Sequence, residues 1–214
     1  MSDTHGMHRG EPLDEVDMII HCGDASNHEN PYFNENEFLS FWRWWLLYPA
    51  RYKIFVPGNH DTFLESGLSR ELRGGLDPNY WILIDETVVI NGVRIFGSPY
   101  TPRFGSWSFM AKRDKLHKHW ELIEPNTNIV ITHGPPKYIL DLNERLEPCG
   151  CRALARVIRE IAPQYHFFGH VHGNKTFENN GILEREGIKY VNCSQVIDGM
   201  ISHGLRHFGK ILTI

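Results

Sequence analysis

Five short polar clusters hold the residues of this sequence whose types and spacing could do chemistry: Asp3-Thr4-His5, Gly23-Asp24, Gly58-Asn59-His60-Asp61, Thr132-His133-Gly134 and Gly169-His170-Val171-His172. Two carboxylates, one amide and four imidazoles make a mixed oxygen and nitrogen donor set. Such a set suits borderline divalent transition metals such as zinc, manganese or iron rather than calcium or a structural zinc. In Asp3-x-His5 and His170-x-His172 the alternate spacing lets an extended backbone aim two side chains to one side. Taken singly, Asp3-x-His5 reads as a surface turn, Gly23-Asp24 as a strand end and His133 as a structural histidine. All five in this order are hard to obtain by coincidence.

The elements that must position these clusters are visible as apolar runs rich in β-branched and aromatic residues. Strands are expected over 16–22, 52–56, 81–84, 87–90, 93–97, 128–132, 166–169, 189–193 and 210–214. Helical patterns cover 35–47, 110–122 and 151–161, with Asn34 or Asn36 as the cap of the first. The clusters fall at the C-terminal ends of predicted strands, where open α/β sheets place their ligand sites. Strands alternating with helices early, then a hairpin through Asn91-Gly92, give an α/β protein with mixed sheets. The stripe Phe38, Phe41, Trp42 and Trp45 reads as core, and 64–80 as a looser insert.

At 214 residues one domain over 1–214 suffices. A net charge of -4 and the short basic run Lys112-Arg113 with Lys115 argue against long nucleic acid as a partner. No apolar run reaches the ~18 residues of a membrane span and the N-terminus lacks a signal-peptide core, so a cytoplasmic protein is expected. Cys22, Cys149, Cys151 and Cys193 form no Cys-x-x-Cys pair and read as reduced structural thiols.

The five clusters resemble the motif series of calcineurin-like metallophosphoesterases, D-x-H, G-D, G-N-H-[DE], G-H or similar, and G-H-x-H. The stretches Val93-Arg94-Ile95-Phe96-Gly97-Ser98-Pro99-Tyr100-Thr101-Pro102 and Thr132-His133-Gly134-Pro135-Pro136 extend the likeness to the metallophosphoesterase-domain-containing (MPPED-type) branch, over nearly the whole chain. The fold this resemblance implies is a four-layer α/β/β/α sandwich of two mixed β-sheets flanked by helices. In that family an apolar strand precedes the first motif. Here only Met1 and Ser2 do, so the expectation is either a shortened chain or a sheet with a central gap and Asp3-x-His5 on a fraying terminus.

The resemblance further implies two divalent metal ions, Mn²⁺, Zn²⁺ or Fe. Asp3, His5 and His172 would hold one, Asn59, His133 and His170 the other, and Asp24 would bridge them. His60 would stay uncoordinated as the catalytic acid. Asn59 and His60 would also meet the substrate, with Arg103 at the site mouth near Phe104 and Trp107, and Asp61 and Asn192 would orient ligands or loops. The implied activity is hydrolysis of a small phosphodiester, a cyclic nucleotide among the candidates, or of a phosphomonoester, by attack of a metal-bridging hydroxide. A weakly active or inactive scaffold of the same fold is the competing reading. His8, His21, His28, His117, His119, His166, His203 and His207 match no ligand of the family and read as surface or structural residues.

Overall fold

The computed structural model describes residues 1–8, 15–65, 72, 77–173, 177–196 and 212–213. A parallel sheet of three strands has the order β1-β2-β3, formed by Val16–His21, Ala50–Phe55 and Tyr80–Ile82. A mixed sheet of six has the order β10-β11-β9-β8-β5-β4. Its strands are β4 (Glu86–Ile90), β5 (Val93–Ser98), β8 (Ile129–Thr132), β9 (Tyr165–Phe168), β10 (Gly181–Arg185) and β11 (Ile188–Asn192). The connection from β4 to β5 is the expected two-residue turn: Asn91 and Gly92 both take positive φ, 50° and 82°, which matches the right-handed twist of the flanking strands.

Period-two alternation divides each strand between two cores. Cys22, Ile54 and Val56 meet Ile95, Ile131, Phe167 and Val191 in a cluster between the sheets. The neighbours Ile19 and Phe55 turn outward onto Phe38, Phe41, Trp42 and Trp45 of α1 (Pro31–Leu47). On the far side Phe96, Val130 and Phe168 pack against Leu154, Val157 and Ile158 of α4 (Arg152–Ile161). The layers therefore run helix, sheet, sheet, helix, and burial of both faces of both sheets fixes their register.

The first residues are not a fraying end. The Met1 ammonium donates to the Ile20 carbonyl at 2.9 Å, Cys22 N–H donates to Met1 O at 2.9 Å and Asp3 N–H to Gly23 O at 2.9 Å. On the other side Ser2 bridges Ser194 in parallel, with Gln195 N–H donating to Ser2 O at 3.1 Å. Met1–Asp3 are thus hydrogen-bonded alongside the end of β1, and Ser2 and Asp3 are fully buried. Directly beside Met1, along the same side of β1, a cleft of about 980 Å³ runs past Met18 and Ile20 to Leu212. It lies away from the five polar clusters.

Three expectations about elements need correction. The pattern over 110–122 is not one helix: Met110–Ala111 form β7 beside β6 (Thr101–Pro102), and only His117–Trp120 are helical, as α3, the short α2 being Thr62–Glu65. Leu116, Trp120 and Ile123 do share one buried face, but the first half of the segment is drawn into pairing with 101–103. The cap of α1 is Asn30, whose side chain accepts from Tyr32 N–H, with Pro31 opening the helix. Strand β10 was not expected, because its pattern is interrupted by exposed Glu184 and Arg185 at a sheet edge. The strand expected over 210–214 lies mostly outside the described residues, and so does most of 64–80.

Of the other histidines, His166 shows why several are structural. It is fully buried on β9; Thr132 Oγ1 donates to Gly134 O, so it accepts from His166 Nε2–H at 2.9 Å, leaving Nδ1 without a protein partner. A charge there would be buried and unpaired, and burial lowers its pKa to about 3. Below pH 6.5 the unfolded chain therefore takes up a proton that the folded chain refuses until about pH 3, so stability falls as pH falls. The slope is about 1.4 kcal/mol per pH unit for this one proton. His166→Phe is expected to remove that contribution from the pH dependence of urea unfolding between pH 4 and 6, and an unchanged slope would show the histidine to be protonated in the fold.

Candidate metal centre

All five clusters lie just beyond the ends of adjacent strands. Asp3 and His5 are hydrogen-bonded beside the turn that ends β1, Asp24 follows β1, Asn59 and His60 follow β2, His133 follows β8, and His170 and His172 follow β9. Because β1 and β2 are parallel, as are β8 and β9, their C-terminal ends open at the same edge. The backbone there is contorted: Asp3, His5, Asp24 and His170 all take positive φ, between 43° and 67°. Non-glycine residues adopt this region at a cost that persists where surrounding structure enforces it, and functional sites are where it collects. Close approach is equally demanding, since a Cβ on Gly58 would collide with the Asp24 carboxylate and one on Gly169 with Asp3.

The donor atoms converge in three overlapping groups. One atom each of Asp3, His5 and His172 lies within 4.8 Å of the others, as do those of Asp24, His133 and His170, and those of His5, Asp24 and His60. His172 Nε2 stands 3.1 Å from Asp3 Oδ1 and 3.4 Å from His5 Nε2. His133 Nε2 stands 2.9 Å from Asn59 Oδ1 and 3.3 Å from Asp24 Oδ2, while the same Asp24 oxygen is 3.9 Å from His5 Nε2. Asp24 thus sits between the Asp3 group and the His133 group. Every ligand position anticipated from the sequence falls within this assembly, and so does His60, whose ring lies edge-on to His5 at 4.9 Å.

Electrostatics fit a cationic guest. Asp3 and Asp24 are almost fully buried, and among the described residues their ion-pair partners are histidines alone. Burial works against both carboxylates, yet His172 beside Asp3, and His133 and His60 beside Asp24, hold them below the usual carboxylate range. Burial also disfavours the charged form of His133, but Asp24 outweighs it and raises this imidazole to about 9. Burial lowers His5 to about 4 and His170 to about 3, leaving them neutral with free lone pairs. Two buried carboxylates grouped with the neutral imidazoles of His5 and His170 form a donor set suited to a divalent cation. His133 Nδ1, 2.8 Å from the Cys22 carbonyl, is oriented so that Nε2 faces the centre.

Around the donors lies a shell that fixes their loops. The Asp61 carboxylate accepts four backbone N–H groups, from Asp24, Ala25, Ser26 and Gly58 at 2.8–3.0 Å, and so ties the Asp24 turn to the Asn59 turn. Burial and the charge of Asp24 still push its pKa up to about 6 against those donors. Asn192 Nδ2 donates to the carbonyls of Val171 and Leu140, pinning the His170-His172 turn. Asn34 was missed as a site residue. Its amide donates to His60 O at 2.6 Å and His28 O at 2.8 Å while its carbonyl accepts from Phe63 N–H. The signal was present, since Asn34 lies one turn before Phe38 on the buried face of α1, and a polar group there needs partners.

His60 is held from three sides. Its N–H donates to Asp24 Oδ1 at 2.8 Å, its Nδ1 lies 3.3 Å from Asn27 O, and its ring packs on Trp107 with 4.1 Å between centroids. Arg103 is exposed, with its guanidinium 3.4 Å from Met110 O. Cys149 and Cys151 serve the chain locally, Cys151 Sγ capping α4, and none of the four cysteines is in a disulfide.

The family profile for calcineurin-like phosphoesterases matches residues 4–174, from within the first donor cluster to just past the last. The chain belongs to that family. A UPF0046 protein of Caenorhabditis elegans is 32% identical over 213 residues, covering 93% of this chain and 69% of that protein. Metallophosphoesterase domain-containing protein 1 of Homo sapiens is 31% identical over 220 residues, covering 91% of this chain and 64% of the relative. The chain thus spans about two thirds of the length of these relatives. The crystal structure of phosphopantetheinyl hydrolase from Mycobacterium tuberculosis superposes with a TM-score of 0.55 over 95% of this chain and 90% of that one; at 14% identity this likeness concerns the fold. Among the described residues no helix is long and apolar enough to cross a membrane.

Proposed function

We propose that this chain is a two-metal phosphoesterase that cleaves a small phosphodiester, with phosphomonoesters as the second class of substrate. The observation that carries this reading is the position of Asp24 between the Asp3 group and the His133 group, with His60 beside it. Asp3, His5 and His172 would hold one ion, Asn59, His133 and His170 the other, and Asp24 both. When bound, the two cations neutralise phosphate charge and lower the pKa of a coordinated water into the neutral range. Manganese, zinc and iron all suit the donor set.

The protein's own contribution is placement and proton transfer. The Asp24, Asn59-His60 and His170-His172 turns, tied by Asp61, Asn34 and Asn192, hold their donors without reorganisation, so a phosphate entering the centre meets a preformed array. His60 is half-buried and keeps Nδ1 toward Asn27 O, so its other nitrogen is available to give a proton to the departing oxygen. The Asn59 amide is 2.9 Å from His133 and borders the same space.

Hydrolysis of bis(p-nitrophenyl) phosphate and p-nitrophenyl phosphate, each with Mn²⁺ and with a chelator, tests the reading. Chelator-sensitive turnover with a higher kcat/KM for the diester is expected. Absence of turnover with two ions bound per chain would favour a binding protein that retains the fold and the metals.

A further inference from the structure

Resting on the metal centre of that proposed reading, we infer that Asn179, which lies outside the five donor clusters, is a positioning residue for His172 and sets how tightly the ion held by Asp3, His5 and His172 is bound. It stands two residues ahead of β10 and is 2% exposed, so its polar atoms must find partners inside the protein. They find three. Nδ2 donates to His172 O at 2.8 Å and to Leu142 O at 2.7 Å, and Oδ1 accepts Leu142 N–H at 3.3 Å. Both amide protons are used, and a flipped amide would set its oxygen against two carbonyls, so one orientation alone fits.

A hydrogen bond positions a ligand only when its far end is fixed, and here the far end is Leu142 in the loop over 136–151. That loop is closed at its base, where Pro136 bridges Cys151 in parallel and Cys151 N–H donates to Pro135 O at 3.0 Å. Within it Leu142 bridges Pro148, Asn143 N–H donates to Glu147 O at 3.0 Å, and the buried Asp141 carboxylate accepts from Tyr138 N–H at 3.0 Å and Gly150 N–H at 2.9 Å. The base follows directly on His133-Gly134, so Asn179 refers the His172 turn to the His133 turn through a braced loop. Approach is close as well: a Cβ on Gly173 would come within 2.9 Å of Phe177 O and 3.0 Å of Glu178 Cα. Asn192 grips the carbonyls of Val171 and Leu140 in the same manner, but Asn179 reaches the ligand residue itself. Metal–ligand distances hold to within about 0.2 Å, so a small drift of this turn would take His172 Nε2 out of its group with Asp3 and His5.

Calorimetric titration of the metal-free protein with Mn²⁺ tests the assignment, and His172→Ala identifies which binding step belongs to the Asp3, His5 and His172 group. In Asn179→Ala the Kd of that step should rise about 10- to 100-fold, the usual cost of removing a group that orients a ligand, while the other step keeps its Kd. Added to His172→Ala, the same substitution should change neither step, because a tether without its ligand positions nothing. Should Asn179→Ala fail to fold, Asn179→Ser, too short to reach His172 O, carries the same expectation. An unchanged Kd, equal weakening of both steps, or a further loss in the double variant would overturn the assignment. Ester hydrolysis does not enter these measurements, so its absence alongside the expected shifts would refute the phosphoesterase reading and leave the role of Asn179 standing.

Discussion

Asp24→Asn is expected to fold normally and to lose activity together with its metals. The side chain makes three separate approaches. Oδ1 accepts His60 N–H at 2.8 Å, and Oδ2 lies 3.3 Å from His133 Nε2 and 3.9 Å from His5 Nε2. An asparagine can keep the His60 bond through its oxygen, so the turn should survive. It cannot supply an anion shared by two cations, and its NH₂ would face lone pairs of His133 or His5. Since metal centres lower such barriers by several kcal/mol, kcat/KM should fall by about 10³-fold or more. Elemental analysis after desalting should show fewer than two ions per chain. Two retained ions in a folded variant would remove the bridging role.

His60→Ala should do the opposite, keeping the metals and losing rate. The ring reaches the centre only at its rim, packed on Trp107 and half-buried, whereas the assigned ligands other than His170 and His172 are buried. Loss of a positioned acid costs about 10²- to 10⁴-fold in kcat. That loss should shrink for p-nitrophenyl esters, whose leaving group needs little protonation, relative to an alkyl leaving group. The geometry supplies a sharp contrary outcome, because a His60 nitrogen also lies within 4.8 Å of His5 and Asp24 donor atoms. If metal content falls with activity in His60→Ala, the imidazole is a ligand and not the acid.

The five donor clusters and the strands before them were legible because both depend on local rules. Apolar β-branched runs make strands, and polar residues with glycines just beyond them mark the open edge of a parallel sheet. The aromatic stripe of α1 and the Asn91-Gly92 turn were legible for the same reason. The segment 110–122 was misread because its helical period, carried by Leu116, Trp120 and Ile123, is honoured only in part. Pairing of Met110–Ala111 with Thr101–Pro102 is a contact at a distance that no local pattern announces.

The sequence alone therefore determined which residues could bind metal and at which strand ends they stand. Tertiary structure decided how they meet: that Ser2 and Asp3 are seated between the end of β1 and Ser194, that Asp61 gathers four amides, and that Asn34 holds the carbonyl of His60. It also decided that Phe104 faces solvent beside His170. The division has one physical cause. Residue type and spacing record the chemistry a side chain can offer, whereas the partner it meets depends on close packing of segments far apart in the chain, which is settled only when both sheets are buried together.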